Sequence, residues 1–332
     1  GRGTELTVSD ANLLLGRMDP EYFLGGRMAL DLERTRAAAA DLAAQLDLTE
    51  SALAAGIIRV ANANMERAIR VVSVQRGFDP RDFALLAFGG AGGMHACEIA
   101  DTLEIVTVIV PRYAGVLSAL GMLLADVTKD YSATVLRRSA PDDGPTLEAL
   151  FVPLLERAAA DLRREGFDAA HAHFVRALDV RYAGQSFEIT VPFDAEYREE
   201  FDRQHARLYG YANPHRPTEV VNLRLTAIGR TRKPQLPSAP VRGVRFPEPA
   251  RVGLASFGGR AVRTSFYRWE DLEPGHVADG PAVVAGAQAT AVVPPRFRFR
   301  IDEFGNVIAV RSPGRRTVKR SRAGALVAAT RR

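Results

Sequence analysis

A chain of 332 residues, 47% hydrophobic and 25% charged, is long enough for two cores without disulfide or metal staples. The single cysteine, Cys97, excludes an internal disulfide and suits a reducing, cytoplasmic compartment; no apolar run reaches the roughly 18 residues a membrane span needs. The net charge of +5 comes from Arg315, Arg316, Lys319, Arg320, Arg322, Arg331 and Arg332 near the end of the chain; the body without them is slightly acidic and lacks the basic stripe of a nucleic-acid binder.

In chain order, Leu6 to Asn12 runs from a short extended piece into Leu13-Leu14-Leu15, with Ser9 or Asp10 as the helix cap. Residues 31–47 have helical spacing, and Thr49-Glu50-Ser51 starts a long helix. Leu53, Ile57, Ala61, Met65, Ala68, Ile69 and Val72 give it one apolar stripe, and Gly77 stops it. Phe83 to Phe88 reads as a strand covered on both faces. Gly89, Gly90, Gly92 and Gly93 then turn the chain into a helix from about Met94 to Leu103, followed by a β-branched run from Ile105 to Val110. A buried helix is expected over about Gly115 to Ala125. Strand, helix, strand, helix at this spacing predicts a parallel α/β layer.

A turn-rich stretch, Ser139 to Pro145, suggests a domain boundary. Beyond it come a helix from Leu147 to Arg164, a hairpin of Phe174–Tyr182 with Ser186–Val191, and a helix near Glu199 to Leu208. A strand follows at Val220 to Ile228, then short strands near 262–267, 282–284, 289–293 and 307–310. The fold class is α/β plus α+β. The expected domains are 1–138, a strand-rich 139–311, and a basic, disordered tail at 312–332.

The glycine turn carries the clearest chemistry. Glycine allows positive φ and puts no Cβ between backbone and ligand. A helix starting there points free N–H groups and its positive dipole end into the turn, where a nucleotide would sit. Close packing of helix on strand is the competing explanation. No Gly-Lys-Ser/Thr follows, so the turn is not a Walker A loop. A dinucleotide loop would want glycine where His95 stands, which keeps a nicotinamide-dependent oxidoreductase as a near-miss alternative.

Around this turn, Arg59-Val60-Ala61-Asn62-Ala63-Asn64-Met65, Arg76-Gly77-Phe78-Asp79-Pro80 and Gly115-Val116-Leu117-Ser118-Ala119-Leu120-Gly121 resemble the hydantoinase A/5-oxoprolinase family. So do Leu6 to Asn12, Leu15-Gly16-Arg17, Arg181 to Glu188, Leu208-Tyr209-Gly210-Tyr211, and Gly280 to Val284 with Val293-Pro294-Pro295. The resemblance implies the second half of an actin-like ATPase domain followed by a family-specific C-terminal domain. It also implies ATP-dependent activation of a cyclic amide (a hydantoin or lactam) by carbonyl phosphorylation, with a B-type subunit or domain completing hydrolysis. The similar acetone carboxylase subunits apply the same activation to a ketone. Two Asp-Gly-Gly-Thr hairpins of the family are absent here, so the Mg ligands are expected in an N-terminal half outside this chain. The chain alone is then expected to be inactive, and a non-catalytic module docking a B-type partner is the alternative. Gly92-Gly93 replaces a common Gly-Pro, and Ala285-Gly286 stands where the family tends to carry acidic residues.

On this reading Gly89, Gly90, Gly92, Gly93 and His95 contact the nucleotide. Asp10, Asn12, Asn62, Asn64, Ser118 and Asp126 are cleft candidates; helix capping competes at Asp10 and Asn12 and backbone bonding at Asn62 and Asn64, while Ser118 and Asp126 flank a buried helix. No catalytic residue and no metal ligand is assigned. His171 and His173 read as solvated surface, His205 and His215 as packing around Tyr209-Gly210-Tyr211, and Cys97 as buried and inert.

Overall fold

The computed structural model describes residues 5–312; the expected tail from residue 313 lies outside the described residues. Helix α1 (Val8–Leu14) is started by Thr7, not by Ser9 or Asp10. The Thr7 hydroxyl accepts the Asp10 N–H at 3.2 Å, and the Asp10 carboxylate accepts the Thr7 N–H at 2.8 Å, a reciprocal capping box. Asp31 caps α2 (Leu32–Gln45), and Thr49 caps α3 (Glu50–Val72) where the sequence expects it. The buried line of α3 is Leu53, Ala54, Ile58 and Asn62, rotated from the expected stripe, and Val72 is exposed. Ala54 and Ile58 pack on Ala11 and Leu15 of the α1 region, and Leu53 packs on Ala39 and Ala43 of α2.

The chain divides into two compact units. One gathers the described residues up to Leu120 with those from Leu236 onward; the other is Gly121–Gln235. In the first, β1 (Leu85–Leu86), α4 (Gly92–Thr102) and β2 (Thr107–Val110) form the expected parallel unit, with Leu85 opposite Val108. The rest of that sheet is antiparallel and comes from the far end of the chain. β13 (Val307–Arg311) pairs with β2, β12 (Phe297–Ile301) pairs with β13, and β9 (Val277–Asp279) closes the edge. A second sheet has the order β11-β10-β8-β7, from β7 (Arg251–Phe257), β8 (Arg260–Arg268), β10 (Ala282–Ala285) and β11 (Thr290–Val293). The β7–β8 hairpin turns on Gly258-Gly259, whose φ values of 57° and 76° suit a two-residue loop. Val108, Val110, Phe297, Phe299 and Trp269 share one core cluster.

Two expectations for this unit are corrected. Phe83 to Phe88 is not covered on both faces: the strand shrinks to two residues, and Phe83, Leu86 and Phe88 are each about half exposed. The helix α5 (Leu117–Leu124) has no buried residue, and Met122 is 80% exposed. An apolar run states what a segment would bury, not whether this chain supplies the cover.

In the second unit, α6 (Gly144–Arg164) and α7 (Tyr197–Tyr209) accompany a four-stranded sheet. Its order is β3-β6-β4-β5, built from β3 (Val127–Arg138), β4 (Ala172–Tyr182), β5 (Ile189–Pro192) and β6 (Thr218–Gly229). The last strand, β6, lies between β3 and β4 and is antiparallel to both. The division in space therefore does not follow the expected boundary at 138/139. β3 precedes that point yet pairs with β6 from Val127 opposite Gly229 to Arg138 opposite Glu219, while the strands after Gln235 return to the first unit.

Candidate functional site

The glycine turn hangs from β1: the Ala87 N–H donates to Ile109 O at 2.8 Å, and the Gly89 N–H to Ala114 O at 2.7 Å. Gly89 has φ +85°, open to glycine at little cost. Helix α4 begins at Gly92, and its N-cap, Ala91, offers no side-chain acceptor to the first amides. The four glycines divide by cause. A Cβ on Gly93 would meet Thr290 O at 2.7 Å and Val110 Cγ1 at 2.9 Å, so close packing accounts for that position. One on Gly90 would lie 3.3 Å from Gln288 O. One on Gly89 would meet nothing within 4 Å, and one on Gly92 nothing nearer than 3.8 Å. Gly90 and Ala91 are exposed, so the outer side of the turn is open.

His95, in the first turn of α4, is buried and ties this helix to α3. Its Nδ1 stands 2.7 Å from Asn62 Oδ1, and Asn62 Nδ2 donates to Glu98 Oε2 at 3.0 Å. Arg17 Nη2 donates to Glu98 Oε1 at 2.7 Å, and Arg17 Nε to Ser256 O at 3.0 Å. The Arg17 guanidinium lies 4.9 Å from the Phe257 ring centroid. Because the Asn62 amide spends its N–H on Glu98, its oxygen is the acceptor and His95 Nδ1 is the donor. Burial holds the His95 pKa below its ordinary value; Glu98 opposes this and Arg17 adds to it. The ring is thus neutral at pH 7, with its second nitrogen unprotonated.

Arg17, Asn62 and Glu98 line a cleft of about 530 Å³ whose far wall is Ser256 and the Gly258-Gly259 turn. Among the side chains of the sequence candidates, only those of Asn62 and His95 are joined by a direct bond; the Gly92 N–H donates to Gly89 O at 3.3 Å within the turn. Asn64, two residues on, points away from Asn62 around the helix and is exposed. Asp10 is engaged in the capping box. Asn12 is fully buried, its Nδ2 donating to Val8 O at 3.2 Å. Ser118 is exposed on α5. Asp126 belongs to the second unit, where Lys233 and Thr231 bond it and hold its carboxyl below the usual range, the Lys233 bond first.

Sequence reasoning missed Arg17 and Glu98 as site residues. The quoted Leu15-Gly16-Arg17 held a signal: Gly16 has φ +67°, and a Cβ there would collide with Leu254 O, so the backbone is pinned just before Arg17. Cys97 is buried, and burial pushes its thiol up. His171 is exposed and bonds Asp168. Among the described residues, no group of three His, Cys, Asp or Glu side chains could hold a metal ion, and no helix is long and apolar enough to cross a membrane.

The family described as Hydantoinase/oxoprolinase matches residues 1–131, and the one described as Hydantoinase/oxoprolinase C-terminal domain matches residues 139–308. The chain is similar to 5-oxoprolinase 1 of Arabidopsis thaliana, at 32% identity over 96% of this chain and 27% of that protein. Among solved structures, an ATP-dependent acetone carboxylase in nucleotide-free form aligns with a TM-score of 0.79 at 25% identity, over 92% of this chain and 46% of that one. The ATP-dependent caprolactamase from Pseudomonas jessenii aligns with a TM-score of 0.76 at 32% identity, over 94% of this chain and 47% of that one. The chain thus spans less than half the length of each of these proteins.

Proposed function

The chain belongs to the hydantoinase/oxoprolinase family, and from that premise we propose that it is one part of an ATP-dependent enzyme that opens a cyclic amide of the hydantoin or 5-oxoproline type. ATP, when bound, supplies the phosphoryl group that turns the amide carbonyl oxygen into a leaving group. The observation that carries this reading is the start of α4, an uncapped helix terminus with no side chain at Gly89 or Gly92 to bar a ligand. In this reading the turn receives the adenosine side of the nucleotide. His95, neutral and clamped by Asn62, keeps α4 fixed on α3 behind it. Mg would accompany the nucleotide phosphates on ligands elsewhere in the enzyme, and a B-type partner would complete hydrolysis. Ketone activation of the acetone carboxylase kind would use the same nucleotide step.

Calorimetric titration with ADP and with NAD tests this. ADP is expected to bind and NAD not to. Gly92→Val should abolish ADP binding with little change in melting temperature, because its side chain enters open space. Preference for NAD, unchanged ADP binding by Gly92→Val, or ring hydrolysis by the chain alone would overturn the proposal.

A second reading, a module that docks other polypeptide, is favoured by the exposed Leu86 on β1, an edge strand of its sheet, and by the exposed Phe83 and Phe88 on either side of it. Failure of the chain to co-migrate with a B-type subunit on a sizing column counts against it.

A further inference from the structure

The tip of the β10–β11 hairpin stands against the glycine turn. The two strands are core: Ala282, Val283 and Val284 on β10 and Ala291, Val292 and Val293 on β11 are all buried. The Gly286 N–H donates to Ala289 O at 2.9 Å and closes the tip, where Ala287 and Gln288 are exposed. A Cβ on Gly90 would stand 3.3 Å from Gln288 O, and one on Gly115 would collide with the same oxygen. Beside it the Thr290 N–H donates to Gly90 O at 3.3 Å, and a Cβ on Gly93 would lie 3.2 Å from Ala291 Cα. Among Gly89, Gly90, Gly93 and Gly115, only Gly89 has positive φ. Dihedral freedom therefore does not account for the other three; the close approach of another backbone does.

Three segments, 89–93, 114–115 and 286–291, thus meet around one carbonyl, Gln288 O. The turn is braced at Gly90 and Gly93 and open at Gly89 and Gly92. Turn and brace both belong to the first unit, although the chain passes through the second between them. We infer that the tip of the β10–β11 hairpin is a positioning element for nucleotide binding: Gln288 O, set between Gly90 and Gly115, holds the turn in the shape that leaves the first amides of α4 free to meet a ligand. The identity of that ligand rests on the nucleotide reading; the brace does not. A turn fixed before the ligand arrives needs no ordering on binding, so affinity falls when the brace is loosened. The buried strands give the tip a firm base, and a bulkier residue at 115 therefore displaces the turn and its neighbouring loop. Because the wedge is a main-chain oxygen, the device needs the smallness of Gly115 and not the Gln288 side chain.

The test is calorimetric titration of the 332-residue chain with ADP, joined to amide hydrogen exchange over residues 88–94. Gly115→Ala should weaken ADP about tenfold and speed exchange across the turn about tenfold at a temperature well below melting. Gln288→Ala, which keeps the carbonyl, should match the parent in both. Leu53→Ala, in the core between α2 and α3, should lower the melting temperature and leave the ADP affinity of the folded chain unchanged, as a purely structural role at residue 115 also would. Should Gly115→Ala not fold, Gly90→Ala asks for a shift of only a few tenths of an ångström and should show the same two changes at about threefold. Parent-like ADP affinity in the glycine variants, unchanged exchange over 88–94, or equal damage from Gln288→Ala would overturn the inference. Failure of the parent chain to bind ADP would sink the nucleotide reading instead, and the exchange measurement then still upholds or sinks the brace.

Discussion

Two histidines, one in each unit, are buried to nearly the same degree and do opposite things. His205 on α7 is held at both ring nitrogens: Nδ1 donates to Tyr211 O at 2.7 Å, and Nε2 accepts from Gln185 Nε2 at 3.3 Å. The rings of Tyr182, Phe201, Tyr209 and Tyr211 surround it at centroid distances of 4.7 to 5.7 Å. His95 on α4 has no such cage. Its Nδ1 leads through Asn62 to Glu98 and Arg17, two charged groups that line a cleft. Burial by itself therefore does not mark a site. The difference lies in whether the polar chain that satisfies the ring ends in backbone and aromatic packing or continues to charges at a cavity.

That contrast breaks most easily at His205. His205→Ala should destabilise the second unit by about 3 kcal/mol, since it leaves a cavity among four rings and strips Tyr211 O of its donor. Near-UV circular dichroism of the tyrosines in urea reads this directly, and a loss under about 1 kcal/mol would show that the cage is not what holds the unit. A smaller effect is expected at the other histidine's tether. Asn62→Ala unpairs His95 Nδ1 and one bond to Glu98, at a cost of about 1–2 kcal/mol. Asn64→Ala, on the exposed face of the same helix, should be neutral or stabilising by about 0.5 kcal/mol through helix propensity. Trp269, the single tryptophan, lies in the first unit and gives the unfolding signal; equal effects at 62 and 64 would dissolve the distinction drawn between them.

The same two regions show what a sequence yields. Local signals were readable: the Thr49 cap, the end of α3 near Gly77, the β1-α4-β2 order and the packing of His205 on Tyr209 and Tyr211 all depend on neighbours a few residues apart. What escaped depends on distant partners. Arg17 meets Glu98 across 81 positions, and no helical period or motif spacing records that. Two of the glycines, Gly93 and Gly115, are explained by Thr290 and Gln288, which fold back from the far end of the chain. β3 was missed although its exposure alternates strictly from Val127 to Leu136, because Lys129 occupies an inward position of that alternation. The spatial division lies at Gly121 and Gln235, apart from the expected boundary near 139 at which the two family matches change over, for a related reason: β3 finds its partner, β6, about ninety residues later.

The smallest expected effect is the most specific to His95. Its folded pKa lies below the ordinary 6.5 because burial disfavours the imidazolium. The unfolded chain then binds a proton that the folded chain refuses, so stability rises with pH across that interval. The contribution is complete above about 6.5 and is lost as the pH falls through the folded value. His276 shifts the same way through its own burial and Arg245, and leaves a residual slope. The lowered carboxyls of Asp79, Asp126 and Asp161 act further down, below their ordinary 3.8. His95→Gln keeps an amide beside Asn62 and removes the titration. Urea midpoints taken from Trp269 fluorescence at about pH 7 and about pH 5 should therefore converge in the variant relative to the parent. An identical pH difference in both proteins would mean that His95 takes up its proton alike in the folded and the unfolded chain, and that burial does not disfavour its imidazolium.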